Sequence, residues 1–581
     1  FQAEDGIRDS VASRGLGDVY KRQVSPGVLV QEKDLTRVIP AVSTSTGAIA
    51  IQANKGSLDE IVSVSSEQEL VTQFGKPDAV NFEGWLTAAN FLAYSNALRV
   101  VRVQNSSVSN ATESGSTFVV KNTTDYQDNY ADGSASVGLW AARTAGAWGN
   151  NLIIETCPSA TVYEETSKTT VDDAGTAVGD TVVTVASATG ISAGDIVNFG
   201  DEYEYRVLSI STNDLTIVRK NEPQYFGASD SSGLHATLTN GAAVRRRWRY
   251  YDLFAKAPGT SPFAQAQGGS GDELHIIVVD EDGGITGTKG SVLEKYDAVS
   301  KASDSKTPQG DTNYYPDVIY NKSSYIYWMD HNSSGSNWGT AASGLTFTDV
   351  TTVSAVSLSN GSDGSAATTG QKLIAYNKFA DAETVDVGLI IAGPGDATHV
   401  DNCITIAENR KDAVAFASPE RSDVVNIADS NTQVNNVLGF FNPIRSSSYV
   451  VFDSGYKYQY DRYNDVYRYV PLNGDTAGLA ARTDLVADAW YSPAGLNRGN
   501  VRGAVKLAFN PTQTQRDDLY RARVNPVATF PGSGTVLFGD KTGLSAPSAF
   551  DRINVRRLFI VLEKAIATAS KFQLFEFYDE F

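Results

Sequence analysis

The sequence predicts a multidomain protein with an α/β core, a mixed sheet with flanking helices formed from early and late segments, and with inserted β-rich outer domains. Apolar strands alternate with amphipathic helices up to about Val103, and this pattern resumes near Gln371. Between these segments, short strands with period two recur at regular spacing. The 581 residues are enough for about three to five domains.

The beginning of the chain divides into two parts. Residues 1–23 contain no apolar segment and no small-residue cleavage site, so they are not a signal peptide. Asp18–Gln23 resembles the translated transposon end of a sequencing library, so we expect 1–23 to be a sequencing-adaptor artefact; a real polar extension is the alternative. Residues 24–44 follow as an extended N-terminal arm, with Pro26 and Gly27 ahead of a short Val/Leu run.

The early part of the core is predicted to span 45–103. Thr46–Gln52 is a compact strand candidate, and Ser66 with Glu69 can form the capping box of a helix. Asn81 can cap a second helix with one apolar face, and Leu98–Val103 follows as a strand. This β–α–α–β order predicts the start of an α/β layer.

Residues 104–370 are predicted to form the inserted outer domains. The stretch 104–138 is rich in Ser, Asn and Thr and has no helical period. Within 163–244, four short runs of period two are separated by Gly, Asp and Asn turns. This spacing predicts a small antiparallel β domain.

The late part of the core is predicted to span 371–510. Val385–Gly393 reads as a strand buried on both faces, and Ser448–Asp453 as another strand. Asn510 and Pro511 are a good N-cap and N1 pair for a helix. The last helix is predicted from Ile553 to about Phe575, inside a C-terminal domain that spans 511–581.

Composition excludes several classes of protein. The chain has 48 basic and 67 acidic residues, a net charge of −19, which argues against nucleic acid or an anionic membrane surface as the main partner. No stretch approaches the roughly 18–20 apolar residues of a membrane-spanning helix, so we expect no membrane insertion. Cys157 and Cys403 are predicted to be free thiols.

The sequence offers no catalytic set. Its four histidines show no metal-binding spacing, and we find no nucleophile elbow, phosphate loop or dinucleotide fingerprint. We therefore expect no enzyme activity, no cofactor and no metal site. The run Val244–Tyr251 interleaves Arg with aromatic residues, as single-strand binders do. A strand whose arginines pair with acidic neighbours is the other reading, which the overall charge favours.

Several ordered segments resemble the tail sheath proteins of contractile-tailed bacteriophages. The resemblance covers about 24–104, 140–160 and 250–581, whereas most of 104–141 and the block 163–244 have no counterpart. The segments that carry it are Val24–Val28, Ser45–Gly56, Phe74–Pro77, Asn96–Val103, Ala147–Leu152, Tyr456–Asp484, Trp490–Gly499, Asn510–Val527, Leu537–Thr542 and Phe550–Phe559.

The resemblance implies a structural subunit of a virion. Such a sheath polymerises as hexameric rings around the tail tube and contracts to drive the tube through the host envelope for genome ejection. The implied partners are other copies of the chain, the tail tube protein, and the baseplate and tail terminator proteins. Assembly would take place in the cytoplasm of the bacterial host.

The resemblance also implies two sets of contact residues. Family members continue past the position of Phe581, so we expect the C-terminal inner domain, 511–581, to be truncated and the linked sheath to be incomplete. The N-terminal arm is the expected inter-subunit strand, and its candidate residues are Val24, Ser25, Pro26, Gly27, Val28, Leu29, Val30 and Glu32.

The second set of contact residues is chosen by charge. In the family the C-terminal domain faces the tube, so basic residues of this domain are the candidates. Residues 451–581 hold 16 basic and 14 acidic residues, in contrast to the acidic remainder. The candidates for salt-sensitive contacts with an acidic tube are Arg552, Arg556, Arg557, Lys564 and Lys571. Internal ion pairs or a solvated face are the other reading of the same residues.

Three alternative functions stay open. The chain could be the sheath of a phage-derived tailocin, which the sequence does not distinguish from a phage. An adhesin-type surface protein would bind through the β-rich block 163–244 or exposed aromatics such as Trp338. A doubly wound α/β enzyme would need a polar pocket with a catalytic set at the carboxyl ends of its strands.

Overall fold

The computed structural model describes residues 44–220, 233–347, 350, 352–571 and 574. The chain separates into two compact units. One contains Ser43–Ile560, and the other contains Phe1–Val42 with Val561–Phe581. The leader 1–23 and the predicted arm residues from Val24 to Glu32 lie outside the described residues.

The early segment folds as the hydrophobic pattern predicts. The Ser66 hydroxyl accepts the Glu69 N–H and so begins the first helix, but the Glu69 carboxylate accepts from Ser65 instead of closing a box on Ser66. The side chain of Asn81 does not cap the second helix, because its oxygen accepts the Asp78 N–H instead. The elements are β1 (Gly47–Ile51), β2 (Ile61–Val64), α1 (Glu67–Phe74), α2 (Phe82–Leu92) and β3 (Leu98–Arg102).

The inserted region consists mainly of strands with a few short helices. Its strands are β4 (Val108–Ser109), β5 (Trp140–Ala142), β6 (Leu152–Cys157), β7 (Glu164–Thr170), β8 (Val182–Thr184), β9 (Ile196–Asn198), β10 (Tyr205–Ser211), β11 (Asp214–Arg219), β12 (Ala243–Arg247), β13 (Glu273–Asp280), β14 (Ser291–Ser300), β15 (Ile326–Trp328), β16 (Ser354–Ser357) and β17 (Ser362–Asp363). Its helices are α3 (Thr123–Asn129), α4 (Ala160–Tyr163), α5 (Pro262–Ala266) and α6 (Tyr315–Lys322).

The late segment returns to alternating strands and helices. Its strands are β18 (Leu389–Ile391), β19 (Val414–Ala417), β20 (Val450–Asp453), β21 (Tyr456–Asp461), β22 (Val466–Pro471), β23 (Lys506–Leu507), β24 (Val524–Asn525), β25 (Val527–Phe530) and β26 (Gly534–Leu537). Its helices are α7 (Thr369–Tyr376), α8 (Ala397–Arg410), α9 (Arg421–Val424), α10 (Ser430–Phe441), α11 (Asn473–Val486), α12 (Gln513–Arg521) and α13 (Ile553–Ser570).

Early and late strands form one mixed, seven-stranded sheet in the order β2-β3-β1-β18-β19-β20-β24. The strands are parallel except β2, and the two segments meet where Gly47 of β1 pairs with Leu389 of β18. Alternate residues of β1 and β19 join two separate hydrophobic clusters, one on each face of the sheet. Helices α7, α8, α10 and α12 contribute to one cluster and α1, α2 and α11 to the other.

The boundary that the sequence suggested at residue 511 cuts through this sheet. Strand β24 pairs in parallel with β20, and Phe452 lies opposite Val524. The buried Asn525 side chain also donates to the Phe452 carbonyl at 2.9 Å. The core sheet therefore extends into the segment predicted to be a separate C-terminal domain.

The inserted block 163–244 contains every strand predicted for it. Six antiparallel strands follow the order β7-β12-β9-β10-β11-β8, and a bridge between Val171 and Val185 links the two outermost segments. The block buries its own apolar cluster, which includes Val183, Val197 and Ile217. A second inserted sheet has the order β14-β13-β6-β16.

Two helix boundaries differ from the sequence-based expectation. Thr512, not Asn510, caps α12, and its capping box is completed by Gln515. Asn510 instead exchanges hydrogen bonds with Thr529 of the neighbouring strand β25. The last helix ends at Ser570, five residues before the expected position, although its first residue was predicted correctly.

Candidate functional site

The arginines at the start of α13 point into the protein. Arg557 is 3% exposed and pairs with Asp484 at 2.6 Å. The same guanidinium donates to the Ala480 carbonyl at 3.1 Å. Its charge is therefore compensated within the chain by α11.

Arg556 is enclosed in a similar way. It is 8% exposed, and its guanidinium donates to the Ser448 hydroxyl at 2.8 Å. The guanidinium also lies 4.3 Å from the ring centroid of Tyr449 and 4.1 Å from that of Phe550. Both side chains are packed inside the folded chain, which agrees with the alternative of internal pairing and leaves Arg556 and Arg557 little surface for a tail tube.

The other three cations of that set are more exposed than Arg556 and Arg557. Arg552 is partly exposed and pairs with Asp540 at 2.7 Å. Lys564 is half-buried and Lys571 is exposed, and both belong to the unit that contains Val561–Phe581. A tube contact through Arg552, Lys564 and Lys571 stays a prediction.

The arginine-rich run Val244–Tyr251 is satisfied internally. Arg246 pairs with Asp195 at 2.9 Å in the interior, and Trp248 is fully buried with its indole N–H donating to Glu155 at 2.8 Å. The outer arginines pair with carboxylates as well, namely Arg245 with Glu164, Arg247 with Glu204 and Arg249 with Glu155. The run thus forms strand β12 and the segment after it, and ion pairs join it to acidic neighbours. It does not present an open surface on which bases could stack.

Residues with reactive side chains occupy packing positions. Both cysteines are free and buried, and burial raises the pKa of the Cys157 thiol to about 12. Burial likewise lowers the pKa of His399 to about 4, and one of its ring nitrogens contacts the Ala392 carbonyl. Within the described ranges, no three His, Cys, Asp or Glu side chains are placed to hold a metal ion. Of the described helices, none is long and apolar enough to cross a membrane.

A polar pocket of about 500 Å³ lies near the carboxyl ends of the core strands. Its charged lining residues neutralise one another, as where Arg421 pairs with Glu83 at 3.2 Å. The Lys372 ammonium donates to the Pro394 carbonyl at 2.8 Å, and burial lowers its pKa. The described lining residues include no histidine or cysteine. The position is the one that a doubly wound enzyme would use. In the described lining the Ser422 hydroxyl reaches the Glu420 carboxylate only at 3.5 Å, the limit of a hydrogen bond.

The hairpin of β21 and β22 carries the feature that sequence reasoning missed. One face of this hairpin presents Lys457, Gln459 and Asp461 to the interior, where their exposure is 1%, 8% and 0%. The opposite face carries four tyrosines, and we call it the tyrosine face: Tyr458, Tyr460, Tyr467 and Tyr469. The alternation of β21, YKYQYD, was visible in the sequence, but hydrophobicity alone predicts that tyrosines face inward and charges outward.

Each buried charge on the inner face of the hairpin has a partner within the chain. The Lys457 ammonium lies 2.9 Å from Asp475 and donates to the Arg502 carbonyl at 2.8 Å. Asp475 also accepts the Tyr94 hydroxyl at 3.0 Å, and burial raises the pKa of both groups. Asp461 pairs with Arg468 at 2.8 Å. These contacts hold the hairpin in a register that leaves Tyr460 and Tyr467 exposed.

Comparison with known proteins gives a family. The model of the phage tail sheath protein central domain matches residues 366–543. The tail sheath protein of Enterobacteria phage T4 is 31% identical over 617 residues, which cover 96% of this chain and 87% of that protein. The chain belongs to the tail sheath protein family. The tail sheath protein of Salmonella phage ViI is 30% identical over 569 residues, covering 96% of this chain and 85% of that protein.

A solved structure is also among the matches. The match to the crystal structure of a sheath tail protein from Listeria innocua covers 93% of this chain and 80% of that chain, with 10% identity and a TM-score of 0.46. As a tail sheath protein, this chain is a structural protein of a contractile phage tail.

Proposed function

We propose that this chain polymerises as hexameric rings around a tail tube and contracts to drive the tube through the host envelope. The observation that carries the proposal is the 31% identity to a tail sheath protein across 96% of the chain. The proposed assembly takes place in the host cytoplasm, before the sheath becomes part of the virion.

The fold suits a subunit that moves largely as a rigid body. The early and late segments share one sheet, and buried hydrogen bonds such as that from the Tyr94 hydroxyl to Asp475 connect distant parts of the chain. Contraction between two folded states requires that contacts between subunits be better in the contracted lattice than in the extended one. Such a transition draws on differences in interface energy and does not require a phosphate-binding loop.

The proposed partners are further copies of the chain, the tail tube protein, and the baseplate and tail terminator proteins. We propose that the arm Val24–Val30 with Glu32 adds a strand to a neighbour's sheet edge, which links subunits while their bodies rotate. Arg552, Lys564 and Lys571 are the remaining candidates for contacts with an acidic tube.

Negative-stain electron microscopy of the full chain, purified alone and with its tail tube protein, tests the proposal. We expect ordered rings or short stacks with a hollow centre as the concentration rises. Particles that stay at the monomer mass of 62.2 kDa with and without the tube protein would contradict the proposal.

A further inference from the structure

The hairpin sheet is inverted relative to an ordinary surface sheet. In a half-exposed antiparallel sheet the apolar face packs on the core and the charged face meets water. Here the lysine and the aspartate of β21 are buried, whereas Tyr460 and Tyr467 on the other face are 48% and 52% exposed. A register shift of one residue would turn the buried lysine and aspartate to the surface and the tyrosines to the interior. The shift would break the buried ion pairs, so these pairs fix the register of the hairpin.

The tyrosines form a continuous aromatic surface. The ring centroids of Tyr458 and Tyr469 are 4.6 Å apart, those of Tyr458 and Tyr467 are 5.4 Å apart, and those of Tyr460 and Tyr467 are 5.2 Å apart. The Lys506 ammonium on the adjacent strand β23 lies 4.9 Å from the Tyr458 centroid.

Such a surface has the properties of a protein-binding site. Tyrosine provides a large contact area with few rotatable bonds and keeps a hydroxyl for hydrogen bonding, and it is enriched among residues that dominate binding energy. The neighbouring rings already restrain one another, so ordering them on binding costs little conformational entropy. A contiguous exposed aromatic patch of this kind marks an interaction surface rather than a solvated face.

We propose that the tyrosine face is an inter-subunit contact that a second copy of this chain covers in the assembled sheath. The proposal rests on the proposed polymerisation and adds the surface through which the copies meet. Charge supports this occupant at one end of the face: the Lys506 ammonium lies beside Tyr458, whereas at the other end Asp465 accepts the Tyr460 hydroxyl at 2.6 Å, and residues 1–450 hold 32 basic and 53 acidic residues. A second copy therefore offers an excess of carboxylates for the Lys506 end of the face.

The contact must join unlike surfaces. A helical polymer grows through heterologous interfaces, in which a patch on one copy meets a different patch on the next. The tyrosine face would thus meet another part of its neighbour and not a second tyrosine face. A variant that has lost only the tyrosine face would still offer the complementary patch, and would cap the growing polymer at one end.

The test compares two double variants of the full chain. Tyr460→Ser with Tyr467→Ser removes the two most exposed rings of the face. Val182→Ser with Leu208→Ser removes two side chains of similar exposure, 45% and 42%, on the inserted β block. Sedimentation velocity should show self-association weakened by about tenfold or more in the first variant and unchanged in the second. Excess first variant should also shorten wild-type polymers.

The outcomes separate the two proposals. If the wild-type chain does not self-associate, the proposed function fails. If the wild type assembles and the tyrosine variant assembles equally well, the proposed contact fails while the function stands. If the tyrosine variant assembles normally but loses binding to the tube protein, the face belongs to the tube and a second copy is not its partner.

A measurement on the wild type makes the test independent of any variant. Hydroxyl-radical footprinting of the monomer should label Tyr460 and Tyr467, because both rings are half-exposed. In the assembled form we expect at least fivefold protection of both, with unchanged labelling of Val182 and Leu208. Equal labelling before and after assembly would overturn the proposal.

Discussion

Two regions of the molecule, the start of helix α13 and the β21–β22 hairpin, do not expose the residues that their composition suggests. The helix buries Arg556 and Arg557, and the hairpin holds Tyr460 and Tyr467 at the surface. In both regions the buried charge has a carboxylate, hydroxyl or carbonyl partner within the chain. A charged residue is therefore a candidate for contact with another protein only if no group within the chain already pairs with it. An aromatic residue is a candidate only if it lies on an exposed face of its element.

The largest effect is expected on the inner face of the hairpin. Lys457→Met leaves Asp475 buried without its ammonium partner, and we expect the free energy of unfolding at pH 7 to fall by about 3–5 kcal/mol. Urea unfolding followed by tryptophan fluorescence measures the loss. Lys506→Met is the matched control, because this lysine belongs to the same sheet but lies on the outer face, and its loss should cost about 0.5 kcal/mol. Equal effects of the two substitutions would remove the distinction between the faces.

A smaller loss is expected at the start of α13. Arg557→Met should destabilise the chain by about 2–3 kcal/mol, less than Lys457→Met because the Asp484 side chain is 11% exposed whereas that of Asp475 is fully buried, and each carboxylate keeps one hydrogen bond from a hydroxyl. Arg552→Met removes a more exposed ion pair and should cost less than about 1 kcal/mol in the same urea titration. If Arg557→Met left stability unchanged and abolished tube binding, the assignment of Arg557 to the interior would be wrong.

An intermediate, pH-dependent effect is expected at Asp453, below the hairpin. This side chain is fully buried beside Asp475, and burial raises its pKa well above the usual range. Between its unfolded and folded pKa values the native state binds more protons than the unfolded state, so its contribution to stability falls as the pH rises.

Asp453→Asn removes that titration while keeping acceptor and donor groups for Gly455 and Ser418. Its free energy of unfolding relative to wild type should therefore increase from pH 4 to pH 8 when measured by urea unfolding at several pH values. A wild-type advantage that grew with pH would show that the buried carboxylate is ionised and stabilised instead.

The smallest effect on the folded chain is expected on the tyrosine face. Tyr467→Ser should change the free energy of unfolding of the monomer by no more than about 0.5 kcal/mol, because half of the ring is in water. Thermal unfolding below the concentration of self-association provides the measurement. A loss of several kcal/mol would mean that the ring packs within the monomer and not against a partner.

The regular parts of the fold were predictable from local pattern. Ser66 caps the first helix and β1 lies within the predicted strand Thr46–Gln52, because capping and apolar periodicity are encoded by neighbouring residues. The cap at Asn510 was missed because Thr512, two residues later, also fits, and the choice depends on the pairing of Asn510 with Thr529 in space.

The candidate contact surfaces were less predictable. The partners of Arg557 lie more than 70 residues away in sequence, at Ala480 and Asp484, so its burial could not be seen in a helical pattern. The tyrosine face could be read from the alternation of β21, but its direction is set by Asp475 and Tyr94 beneath it. Long-range electrostatic pairing, and not local propensity, decided both outcomes.

The sharpest experiment is electron cryo-microscopy of the assembled chain at a resolution that shows side chains. We expect a polymer of this chain in which Tyr460 and Tyr467 are covered by the adjacent copy, while Arg556 and Arg557 stay inside their own subunit. A polymer in which the four tyrosines face solvent or the tube would contradict the proposed contact, and the absence of any ordered polymer would contradict the proposed function.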